Sequence, residues 1–169
     1  ELYRSKRWIP VAMCLPLDAP VQTLFEALDF GSPRILLESA RTHPVTGRYK
    51  DLRVSIVSTG IGADNVEIVI AEMLAITERP TFIRVGSSGG LQPECLPGDL
   101  VISSGAVRLE TTTAWFVSDG YPAVADHEVV CALIEAANRL GHRHHVGITA
   151  TAPGFFGAQG RPIPQLPIR

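Results

Sequence analysis

From Leu52 to Gly90 the sequence runs strand, glycine turn, helix, strand, and that order leaves few folds open. Leu52-Arg53-Val54-Ser55-Ile56-Val57-Ser58 is β-branched and apolar enough for a strand. Thr59-Gly60-Ile61-Gly62 reads as a turn, and the spacing that follows predicts a helix over 64–77, closed by Pro80. Phe82-Ile83-Arg84-Val85 then reads as a second strand, which breaks into Gly86-Ser87-Ser88-Gly89-Gly90. Two strands joined through a helix make a βαβ unit, so they should run parallel with a right-handed crossover. Their carboxyl ends then share one edge, where open α/β sheets bind ligands. The turn at Gly60 and the loop after Gly86 are therefore expected to line one pocket of an α/β fold.

One cation sits inside the second strand. Alternation places Phe82, Arg84 and Gly86 on one face and Thr81, Ile83 and Val85 on the other. A guanidinium does not lose its proton, so a buried Arg84 must find an anion. Two readings are open. The anion is a ligand phosphate, also held by the serine hydroxyls and N–H groups of the loop, or it is a structural Glu or Asp.

The whole chain has 169 residues, 46% of them hydrophobic, which suits a single domain over 1–169 with an extended tail over 161–169. Pro162, Pro164 and Pro167 leave that tail without a packing pattern. A net charge of −2 with interspersed signs argues for no nucleic-acid partner and no membrane. Arg4, Lys6 and Arg7 before the apolar run 8–17 imitate a secretory leader. Pro10 and Pro16 interrupt that run, and no small-x-small cleavage site follows. Cys14, Cys95 and Cys131 are odd in number and lack CxxC spacing, so they read as free thiols of a cytoplasmic protein.

Elsewhere, Ile9 to Leu15 and Arg34 to Glu38 are predicted strands, and Val21 to Phe30 a helix. Thr42 to Lys50, with Pro44 and Gly47, reads as a turn or hairpin tip. Gly98 to Ser104 and Ala106 to Leu109 are expected in the same sheet, as two strands or one long bent one. Thr111 to Gly120 reads as irregular. Asp126 is placed to cap a helix from His127 to Leu140, with Gly141 at its end. His145 to Thr151 is the next strand.

Three motifs invite function. Gly60-x-Gly62 lacks the third glycine of a dinucleotide fingerprint, since position 65 is Asn65, and no acidic residue ends the next strand. Gly141-His142-Arg143-His144-His145 looks like a metal cluster, but a helix end followed by a strand start scatters those rings, and no Cys or carboxylate sits among them. Favourable placement at a helix C-terminus is the simpler account, and no metal site is expected. Phe155-Phe156-Gly157-Ala158-Gln159-Gly160-Arg161 follows a strand and can close over the ligand edge. Phe155 or Phe156 offers a ring face, Gln159 a paired donor and acceptor, and Arg161 a donor fork, which suits a uracil edge. An ordinary Gly/Phe surface loop is the alternative.

Taken together, Ser58-Thr59-Gly60-Ile61-Gly62, Ile83 to Gly90, Val107-Arg108-Leu109, Tyr121 to Asp126 and Phe155 to Arg161 resemble uridine phosphorylases in both order and interval. These enzymes belong to the hexamer-type nucleoside phosphorylases and nucleosidases. The resemblance implies a three-layer αβα sandwich around a twisted mixed sheet. It also implies a homo-oligomer, a dimer or trimer of dimers, whose sites are completed by a neighbouring subunit. It places Arg84, Ser87 and Gly60 on phosphate, with Arg41 offered to the partner subunit's phosphate. Ser87, Ser88, Gly89, Phe155, Gln159 and Arg161 fall to the nucleoside, and Arg84, Gln159 and Arg161 to catalysis. Inorganic phosphate is the co-substrate and no cofactor is implied.

The family's first strand ends in a Gly-Asp-Pro-x-Arg phosphate loop, whereas here Leu15-Pro16-Leu17-Asp18-Ala19-Pro20-Val21 has neither the glycine nor the arginine. Family members also continue beyond the Arg161 position to a Glu-Met-Glu ribose segment, so the sandwich is expected to lack its C-terminal part. The implied activity is reversible phosphorolysis of a pyrimidine nucleoside to uracil and ribose 1-phosphate. A phosphate-independent nucleosidase, and a non-catalytic nucleoside-binding homologue or fragment, are the rivals.

Overall fold

The computed structural model describes residues 9–13, 45–49, 52–60, 62–154 and 156–162; before Val54 and at position 159 it describes the backbone alone. The chain divides into two compact units, Glu1–Gly89 and Gly90–Arg169. Each unit has its own hydrogen-bonded sheet.

In the first unit the strands are β1 (Ile9–Met13), β2 (Val45–Tyr49), β3 (Leu52–Val57) and β4 (Ile83–Val85), in the order β2-β3-β1-β4. β3 and β4 both run parallel to β1, and β2 runs antiparallel to β3. Val54, Ser55, Ile56 and Val57 are all buried, which fits an inner strand covered on both faces. Helix α1 (Ala63–Ile76) connects β3 to β4 and buries Met73.

The βαβ expectation holds in direction and differs in adjacency. β1 inserts between β3 and β4, so their exits stand about 10 Å apart, two strand spacings. The three carboxyl ends share an edge, with Ala12 in register with both Val57 and Arg84. The stretch read as a turn or hairpin tip is a correction. Positions 45–49 are strand, paired from Val45 with Ile56 to Tyr49 with Leu52. The β-formers Val45, Thr46 and Tyr49 outweigh Gly47, which sits opposite Val54. The predicted helix over 21–30 and strand over 34–38 lie outside the described residues.

The second unit orders its strands β6-β5-β7, with β5 (Leu100–Arg108) antiparallel to β6 (Ala123–Val124) and parallel to β7 (His144–Thr151). Segments 98–104 and 106–109 are thus one bent strand, and the bend is a bulge between Ser103 and Gly105. A Cβ on Gly105 would stand 3.0 Å from the Ala123 carbonyl oxygen and 3.1 Å from Ile148 Cδ1, so the bulge leaves little room for a side chain. Within this unit β5 is the central strand, paired with β6 on one side and β7 on the other.

Helix α2 (His127–Arg139) packs on β5 and follows its sequence signals. Asp126 Oδ1 accepts from the N–H groups of Glu128 at 2.9 Å and Val129 at 3.1 Å. At the other end Gly141 takes φ +70° while its N–H donates to Asn138 and that of His142 to Ala137, a Schellman motif. The segment over 111–120 contains one short 3₁₀ turn, Thr112–Trp115, and is otherwise irregular as read. Both sheets are mixed, a helix links β3 to β4 in the first and α2 packs on β5 in the second, the α/β class expected. Among the described residues no helix is long and apolar enough to cross a membrane.

Candidate functional site

The candidate phosphate-holding residues gather at the carboxyl edge of the first sheet. β4 carries Arg84 to its end, and the chain leaves through Gly86-Ser87-Ser88-Gly89-Gly90, all exposed. Arg84 is itself exposed, so burial does not force an anion on it, and the premise of a buried guanidinium is corrected. Its placement carries the information instead. A Cβ on Gly86 would lie 3.2 Å from Arg84 Nη1 and 3.4 Å from Cζ and Nη2, so the guanidinium lies folded over the exit of the strand. Among the described residues no carboxylate pairs with Arg84, and the N–H groups of Ser87, Ser88, Gly89 and Gly90 make no hydrogen bond. One cation and a run of backbone donors therefore face solvent together, a combination that suits an oxyanion.

The glycine turn is on the same edge. Gly60 and Gly62 take φ +71° and +109°, which only glycine adopts without strain. The turn leads into α1, whose N-terminus favours negative charge. That end already has an acid of its own: Asp64 Oδ1 lies 2.5 Å from where a Gly62 Cβ would stand. The turn is thus the less cationic part of this edge, and the β4 exit the stronger anion seat. Arg41 lies outside the described residues.

The candidate base-reading residues belong to the second unit, at the carboxyl end of β7. After Thr151 the chain forms a closed loop: Arg161 N–H donates to the Phe156 carbonyl at 2.9 Å, and Gly160, at φ +64°, donates to Gly157 at 3.1 Å. Position 159 therefore falls at the tip, in a 3₁₀ turn over Gly157–Gln159. Phe156 is half exposed, Arg161 is exposed, and Phe155 lies outside the described residues.

The family model of the phosphorylase superfamily matches residues 11–164. The chain belongs to the phosphorylase superfamily. A uridine phosphorylase of Thermococcus kodakarensis is 54% identical over 122 residues, 72% of this chain and 43% of that protein. One of Treponema pallidum is 36% identical over 143 residues, 85% and 55% of the two chains. One of Escherichia coli K12 is 39% identical over 108 residues, 64% and 42%. The chain spans about half the length of these relatives.

In this superfamily member two further polar centres escaped the sequence reading. Arg108, at the end of β5, donates through Nη2 to the carbonyls of Ser118 at 3.0 Å, Asp119 at 2.7 Å and Tyr121 at 2.7 Å. It ties the returning loop to the strand end. The signal was available, because Arg108 is a strand cation like Arg84.

The second centre is Asp99, whose side chain is 8% exposed. Its Oδ2 accepts from the Leu96 N–H at 2.9 Å and from His145 Nε2 at 2.8 Å, and Arg143 Nε lies 3.3 Å away. The His145 hydrogen bond, then that of Leu96, hold its carboxyl below the usual carboxylate range. Arg143 also donates to the Glu94 carbonyl at 2.7 Å. Arg143 and His145 of the basic run thus serve an acid, Asp99, that lies 46 residues before His145, a role that helix-terminus placement does not account for. Among the described residues no group of three or more His, Cys, Asp or Glu is placed to hold a metal.

Proposed function

We propose that this chain carries the phosphate-holding and base-reading elements of a pyrimidine-nucleoside phosphorylase acting on uridine. The observation that supports it most is the Arg84 guanidinium over Gly86, beside a loop of uncommitted N–H groups, in a chain 54% identical to a uridine phosphorylase over 122 residues. Arg84, with Ser87 and Gly60, holds inorganic phosphate, and Ser87, Ser88 and Gly89 also serve the sugar. A phosphate oxygen forms its bond to C1′ as the C1′–N1 bond breaks, and the bonding pair leaves with uracil. Gln159 and Arg161 stabilise the uracil anion through its N3 and carbonyl edge, Phe155 packs on the ring, and solvent returns the proton. The products are uracil and ribose 1-phosphate. Catalysis is positional and electrostatic, without a covalent enzyme intermediate and without a cofactor.

The same reading places the protein in the cytoplasm as a homo-oligomer, with Arg41 serving the partner subunit's phosphate and 1–169 acting as one domain. Cys95 and Cys131 are free thiols, which supports a reducing compartment. Sedimentation analysis of the purified chain tests the oligomer, and a monomer at all concentrations refutes it. A second reading, hydrolysis by water, is favoured by Leu15–Val21, which has neither glycine nor arginine where the family carries its first phosphate loop.

One experiment separates the readings. Uridine is incubated with and without phosphate, and the sugar product is followed by phosphorus NMR and reducing-sugar assay. Ribose 1-phosphate formed only with phosphate supports phosphorolysis. Free ribose without phosphate overturns it in favour of hydrolysis. Uridine binding by calorimetry with no product marks a binding homologue.

A further inference from the structure

We propose that Gly86 is a positioning residue for the phosphate-holding arginine. It acts by having no side chain: the space where its Cβ would stand is the space over which the Arg84 guanidinium lies. This rests on the reading that Arg84 holds phosphate. Positions 84 and 86 share a face of the strand, and the closest approach to a Cβ would be 3.2 Å to Nη1, tighter than ordinary van der Waals contact. The obstacle is the far end of a long flexible side chain. A methyl group there moves the guanidinium by a few tenths of an ångström or turns it to another rotamer, and the backbone has no reason to give.

Three further observations separate this glycine from the others. Gly86 does not take a positive φ, whereas Gly60, Gly62, Gly98, Gly141 and Gly160 do, so alanine fits its backbone. It is exposed, so no core neighbour resists a methyl. Gly105, by contrast, is buried and faces a backbone oxygen that cannot turn aside. Arg84 has no carboxylate partner among the described residues to restore its position once displaced. Substitution at Gly86 is therefore felt by the arginine and hardly by the fold.

The test is a double-mutant cycle on the whole chain with Gly86→Ala, Arg84→Ala and the pair, reading inorganic phosphate affinity by calorimetry and stability by urea melting. Gly86→Ala is expected to weaken phosphate about three- to tenfold, a fraction of what losing the charge-assisted bond costs, while melting as the parent does. In the Arg84→Ala background the same substitution is expected to change phosphate affinity less than twofold. Equal effects of Gly86→Ala in both backgrounds, or no effect with arginine present, overturn the positioning role while leaving Arg84 on phosphate. Arg84→Ala binding phosphate as the parent does overturns both.

Discussion

Two strands of this protein end in an arginine, and the two arginines have different fates. β5 delivers Arg108 into a loop that turns back on itself, and three carbonyls of that loop close on one guanidinium nitrogen. β4 delivers Arg84 into five small residues to which it makes no hydrogen bond, and its guanidinium lies over a glycine. Composition of the strand does not distinguish them: Ile-Arg-Val and Val-Arg-Leu are nearly the same environment. What distinguishes them is whether the following loop brings its own acceptors. A cation satisfied by its loop stabilises the fold, while one left facing solvent beside unpaired N–H groups remains free to serve a ligand.

The sharpest way to break this contrast is Arg84→Ala. It is expected to weaken phosphate binding about ten- to a hundredfold, because a charge-assisted hydrogen bond contributes ~1.5–3 kcal/mol. Stability should stay within about 0.5 kcal/mol of the parent, as for an exposed residue without structural partners. Calorimetric titration and a urea melt read the two quantities, and a large loss of stability would erase the distinction.

Gly105→Ala probes the glycine side of the same contrast. Its neighbours at 3.0 and 3.1 Å are the Ala123 backbone oxygen and the exposed Ile148 side chain; the side chain can turn aside and the backbone cannot, so overpacking should cost about 1–2 kcal/mol of stability. Melting the protein in urea measures this, and an unperturbed midpoint would mean the bulge yields more easily than its contacts imply.

Arg108→Ala should mirror Arg84→Ala. Three carbonyls lose their donor, and stability should fall by about 1–2 kcal/mol after allowance for solvent, with phosphate affinity of the folded protein unchanged. Amide exchange should quicken first over 118–121. Protection there matching the parent's would show that the loop holds without its clasp.

The smallest effect concerns Asp99. Its folded carboxyl titrates below the unfolded value of ~3.9, so the stability it adds is complete above that pH and is lost as pH falls through the folded value. The gap in melting midpoint between the parent and Asp99→Asn should therefore be full at neutral pH and close in acid. A gap that ignores pH would assign the effect to packing instead of charge.

Much of the site's local grammar was legible from residues alone. Gly60 and Gly62 were read as a turn and prove to need positive φ. The strand, helix and loop around Arg84 fall within a residue or two of their predicted limits. The exposure of Arg84 was not legible, because burial depends on what covers a strand and not on its own apolar neighbours. Nor was the role of Arg108, whose acceptors lie up to thirteen residues further on and are main-chain carbonyls that every residue carries. His145 and Asp99 meet only because β5 and β7 pair in register, which no feature of the basic run announces.

By itself the sequence determined the elements whose interactions close within a few residues: the α1 and α2 helices, the Asp126 cap, the Gly141 terminus and the glycine turn. Only the tertiary structure decided that β1 would separate β3 from β4, that 45–49 would pair as a strand, and which of two like arginines would be consumed by the fold. Periodicity and capping are local and leave marks in the chain. Strand partners and the reach of a guanidinium depend on which distant backbone arrives alongside, and many sequences with the same local pattern could bring a different one.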